Sequence, residues 1–166
     1  MDETMEVLKG LFHEKMLLYQ ELVACLKREH RALFSIDVDT LWKIAEEKES
    51  VVSEIEGIRG RILSVLSEAS IVHGMDTFSF DLMRVYSLIP GIYRGSFKNV
   101  CLSIARLGNE ARTHSRENRL FIEECLGFLD DLIAVIADTG RPGGVYDNGD
   151  FSGNKGQVNL LLHREV

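Results

Sequence analysis

Proline is nearly absent from this 166-residue chain: Pro90 and Pro142 are the only two, so nothing interrupts helices over long distances. Three cysteines, an odd number without Cys-x-x-Cys spacing, exclude a disulfide framework and a zinc ribbon. Cys25, Cys101 and Cys125 fall on or beside apolar stripes and read as small buried hydrophobes in a reducing compartment. There is no basic excess. The net charge of −7, with no clustered Lys and Arg, argues against nucleic acid, whose phosphates must be neutralised. No apolar run reaches the ~18 residues that span a bilayer, and the first residues show no basic-then-apolar leader pattern. These absences point to a cytoplasmic chain with no membrane insertion.

What is present is helical periodicity. Apolar residues recur at alternating three- and four-residue steps in three stretches, starting at Met5, Leu41 and Phe97. A 3.5-residue repeat sustained over four or more heptads keeps one seam against a partner helix. The spacing predicts a first helix over about 3–35 and a second over about 39–71, with Asp37, Asp39 and Thr40 offering turn and cap chemistry between them. So short a link forces an antiparallel hairpin. Phe78, Leu82, Val85, Tyr86 and Ile89 then give one face of a short helix. A third long helix starts near Pro90 and runs to about Asp138, roughly 70 Å at ~1.5 Å per residue. The predicted fold is all-α: a long antiparallel helical hairpin plus a third long helix, coiled-coil-like, with a short connecting helix.

The character changes at Thr139. Residues 1–138 read as the bundle and residues 139–166 as a Gly-rich flexible tail, with six glycines from Gly140 to Gly156. Such a stretch buries too little surface to offset its ordering entropy. Yet it carries Tyr146 and ends in Val158, Leu160, Leu161 and Leu162. That apolar terminus is either a docking peptide or a segment that packs back on the bundle.

Chemistry finds few footholds. A helical bundle most readily becomes an enzyme through Glu-x-x-His on two helices, and none of the five histidines has Glu three residues before it. Phosphate-binding glycine loops are absent. The chain therefore reads as a non-enzyme without metal or cofactor. His114 and Asn118 occupy seam positions one turn apart. They are expected to be buried and hydrogen-bonded, setting helix register rather than holding metal. Lys15, Glu29 and Lys48 also break seams, and an antiparallel hairpin puts Glu29 and Lys48 within reach of one another. Trp42 reads as peripheral packing.

The order of these features resembles the FlgN family of flagellar type III export chaperones. The likeness rests on Leu22, Leu26, Glu29, Ala32 and Leu33 in LLYQELVACLKREHRAL, and on Leu41, Ile44 and Lys48 after the turn aspartates. It continues with Asn118 and Ile122 in ENRLFIEECLGFLDDL, and with Tyr146, Asp147 and Gly149 in the tail. One departure is that His114 or Ser115 stands where the family often has a second Asn. The resemblance implies a chaperone of hook-associated (hook–filament junction) proteins that shields their helical C-terminal regions and delivers them to the export gate. It implies a client-binding stripe near the end of the third helix: Phe121, Ile122, Cys125, Phe128, Leu129, Leu132, Val135 and Ile136. It also implies gate docking by Tyr146. Val158, Leu160, Leu161 and Leu162 would hold the apolar site until a client arrives, on the bundle or on a second copy in a homodimer. The rival reading is a structural coiled-coil or dimerisation rod without a client.

Overall fold

The computed structural model describes residues 2–139, with side chains to residue 137. Tyr146, Val158, Leu160, Leu161 and Leu162 lie outside the described residues. The chain divides into two compact units, Met1–Phe128 and Leu129–Val166. Four helices occur among the described residues: α1 (Asp2–Ser35), α2 (Val38–Glu68), α3 (Leu82–Leu88) and α4 (Gly91–Thr139). The fold is all-α, as the periodicity requires.

α1 and α2 form the antiparallel hairpin. Glu14 pairs with Arg61, Arg28 with Glu47 and Glu29 with Lys48, so α2 positions fall as α1 positions rise. The turn between them is built from two devices. Asp37 caps α2, its carboxylate accepting from the Thr40 amide at 3.0 Å, and the Thr40 hydrogen bonds hold that carboxyl below its usual range. α1 ends in a Schellman arrangement, with the Asp37 amide on the Ala32 carbonyl and the Ile36 amide on the Leu33 carbonyl. The left-handed position falls on Ile36, at φ 52°.

Two boundaries differ from the periodic reading, each for a local reason. α2 stops at Glu68 rather than near residue 71. Ser70 turns left-handed at φ 59°, and Ile71 donates back to the Leu66 carbonyl. The short helix covers only Leu82–Leu88, because the Asp76 carboxylate accepts from the amides of Phe78 and Ser79 and from the Ser79 hydroxyl, tying that segment into a turn. Asp81 then caps α3. Phe78, expected on the buried face, is exposed, whereas Val85 and Ile89 are buried. Arg94 closes the far end of α3, donating to the carbonyls of Ile89 and Ser87 at 2.8 and 2.7 Å.

The core is uneven. Its main body joins the first half of α1 to the last half of α2, to α3 and to the start of α4, through Leu8, Phe12, Ile58, Ile62, Leu66, Val85 and Phe97. Toward the α1–α2 turn it thins to two small groups: Val23, Leu26, Leu107 and Ala111, and Cys25, Ala32 and Ile44. Cys25 and Cys101 are buried as expected, and burial pushes the Cys101 thiol up to about 11. Cys125 departs from that expectation: it is exposed.

Candidate functional site

α4 runs parallel to α1. The Phe12 and Phe97 rings meet edge-on at 5.4 Å, Lys27 pairs with Glu110 at 2.7 Å, and the Phe34 and Phe121 rings lie 4.8 Å apart. Both numbers rise together along these contacts. α1 ends at Ser35, one residue beyond Phe34. From Phe121 to Phe128, α4 therefore has no further turn of α1 to lie against. The difference in length is built in: α4 has 49 residues and α1 has 34.

The consequence is an open apolar face at the turn end of the hairpin. Phe121 is half-buried against Phe34, while Ile122, Cys125, Leu126 and Phe128 are exposed. α1, the turn after it and α2 contribute Phe34, Ile36, Val38 and Trp42 at the same end; Trp42 is 70% exposed instead of packed at the periphery. In the second unit, taken by itself, Leu129, Leu132, Ile133, Val135 and Ile136 on α4 are exposed. Single exposed apolar residues are ordinary, but this many on consecutive helical turns is not.

Ile36 adds a second signal. A β-branched residue in the left-handed region is strained by about 1–2 kcal/mol relative to glycine, and here its side chain is 80% exposed. Strain retained for an exposed apolar side chain points to function. Ile36→Gly is expected to raise stability by about 1 kcal/mol in urea titration, with unchanged cooperativity. Loss of stability would mean that Ile36 packs against something that holds the turn.

Beneath this face lies a polar knot that joins the three long helices. Asn118 of α4 is 2% exposed. Its amide donates to the Leu26 carbonyl and to Glu29 Oε2, each at 2.9 Å, and its Oδ1 lies 2.9 Å from His30 Nδ1, which donates in the matching tautomer. Glu29 is buried and also accepts from Lys48 of α2. His114 is not part of the knot. It is half-buried, its Nδ1 is 3.3 Å from Glu117, and α1 rather than His114 supplies the partners of Asn118. The expectation that both seam residues are buried is thus corrected for His114: on a parallel neighbour, Asn118 reaches Leu26, Glu29 and His30, while His114 lies half-buried toward the solvent edge.

Two residues of the apolar face escape a reading of periodicity: Ile36 continues the α1 seam and so looks buried, and Phe34 falls beside that seam. The available signal was their position at a turn, where polar residues are expected. Among the described residues, no group of three His, Cys, Asp or Glu is placed to hold a metal ion, and no helix is long and apolar enough to cross a membrane.

A family model described as FlgN protein matches residues 1–149. The chain belongs to the FlgN family. That family is one of flagellar export chaperones. The FlgN match takes in all four helices and Tyr146, and ends before the Val158 to Leu162 segment. No curated protein and no solved structure matches the chain.

Proposed function

We propose that this FlgN-family chain is a cytoplasmic chaperone that takes the helical C-terminal region of hook-associated proteins on its turn-end apolar face and delivers them to the flagellar export gate. The observation that carries the reading is the run of α4 past the end of α1, which leaves Ile122, Cys125 and Phe128 open beside Phe34 and Ile36. An amphipathic client helix lays anchors at i, i+3, i+4 and i+7 into such a surface. The same helical spacing assigns Leu129, Leu132, Val135 and Ile136 to the client. Tyr146 is assigned to the export gate, and Val158, Leu160, Leu161 and Leu162 to a segment that holds the apolar site, in the monomer or in a homodimer, until the client displaces it.

Secretion tests the assignment. Cells carrying Phe128→Asp should export less hook-associated protein because the client is not captured. Cells carrying Tyr146→Ala should also export less, yet the purified variant should bind client like the wild type. Normal export in both would leave the client-free coiled-coil rod as the better reading.

A further inference from the structure

Some 19 residues along α1 from Phe34, or roughly 28 Å at ~1.5 Å per residue, a different site is built. A cavity of about 340 Å³ lies among α1, α2, the segment before α3, and α4, within the size range of small-ligand pockets. Three cationic side chains line it: Lys15 from α1, Arg59 from α2 and Arg112 from α4. Lys15 is 2% exposed, and among the described residues its ammonium makes no hydrogen bond; it sits over the Phe80 ring, 4.2 Å from the centroid. The Arg59 Nε is likewise buried without a hydrogen-bond partner. The one acid on the wall, Asp81, accepts from the Met83 amide at 2.8 Å and forms no ion pair with the three cations.

A buried ammonium beside a half-buried guanidinium, with no counter-charge on either, is costly, and a protein that retains them has a use for the missing anion. Guanidinium forks match carboxylates in geometry, while Phe80 and Ile104 supply apolar walls. We infer that this cavity binds a carboxylate carried on an apolar or aromatic body, with Lys15 and Arg59 holding the anion and Phe80 covering the body.

Burial and the neighbouring Arg59 lower the Lys15 pKa to about 7. The groups that face it are Tyr19 on its own helix, Arg59 on α2, Asp81 before α3 and Arg112 on α4. A bound anion favours the ammonium form, so binding takes up a proton above pH 7. Affinity is therefore nearly level below about pH 7 and falls above it, by up to about tenfold per pH unit.

Calorimetric titration of the full chain tests this with defined probes: benzoate against benzyl alcohol, and acetyl-Ala-Ala-Leu with a free terminal carboxylate against its amide. Saturable binding of benzoate but not of the alcohol supports the site and identifies a free small acid as its ligand. Binding of the free-carboxylate peptide but not of its amide supports it and identifies a chain terminus. Lys15→Met and Arg59→Gln, each checked for folding by circular dichroism, should weaken binding about tenfold or more. Absence of binding by either carboxylate overturns the inference. So does equal binding of the neutral probes, or undiminished binding in both folded variants.

Discussion

Asn118→Leu is expected to lower the unfolding free energy by about 2 kcal/mol, although it exchanges a polar for an apolar side chain of similar size at a seam. Read from heptad spacing alone, the same substitution looks neutral or stabilising, because burying a leucine contributes roughly 1.5–3 kcal/mol. The partners reverse the sign. Asn118 donates to a carboxylate oxygen of buried Glu29 and to the Leu26 carbonyl, and it accepts from His30. Leucine would leave these groups short of a partner in a largely buried site, at about 1–3 kcal/mol for each group that water does not reach and more for the charged one. Lys48 still holds Glu29, so the fold should survive. Urea titration monitored by circular dichroism should show an earlier midpoint with an unchanged slope. An unchanged or later midpoint would mean that the knot serves register alone.

Lys15→Met should have the opposite effect. In the wild type, the folded state holds Lys15 at a pKa of about 7 rather than the ordinary 10.5, because burial and Arg59 disfavour its charge. Each unit of such a shift corresponds to about 1.4 kcal/mol of differential interaction, so the cost below pH 7 is several kcal/mol. The sign follows from proton counts. Between pH 7 and 10.5 the unfolded chain binds the proton that folded Lys15 has released, so this residue's penalty shrinks as pH rises and is gone above the unfolded pKa. Methionine keeps the stem and removes the charge. The variant should exceed the wild type by a few kcal/mol at about pH 6, with the gap narrowing steadily toward about pH 10. Paired denaturation curves across that range measure it. A pH-independent gap, or a destabilised variant, would mean that Lys15 is satisfied in the folded protein.

Both substitutions show where sequence stops being informative. A 3.5-residue repeat says which stripe of a helix is buried, and it did place the three long helices, the Asp37 turn and the Glu29–Lys48 contact. It does not say which neighbour a seam residue faces. Asn118 therefore reads as a buried, hydrogen-bonded register residue with no partner named, when its partners lie on α1. Lys15 looked like a break in a seam, because the Phe80 ring beneath it comes from an aperiodic segment. Ile36 continues the α1 seam and reads as core, and Phe34 lies beside that seam. Only the parallel match of α1 and α4, which makes α1 end opposite Phe121, turns them outward as part of the open face.

Direct binding tests whether the open face takes a client helix. A peptide from the C-terminal region of a hook-associated protein should be titrated by calorimetry into the wild type, Phe128→Asp and the double variant Ile122→Asp/Phe128→Asp. Both positions are exposed, so the variants should melt like the wild type. Saturable binding is expected for the wild type, about tenfold weaker binding for the single variant, and no measurable binding for the double variant, since each buried apolar anchor contributes roughly 1.5–3 kcal/mol. Wild-type affinity in a correctly folded double variant would contradict a client site on the open face.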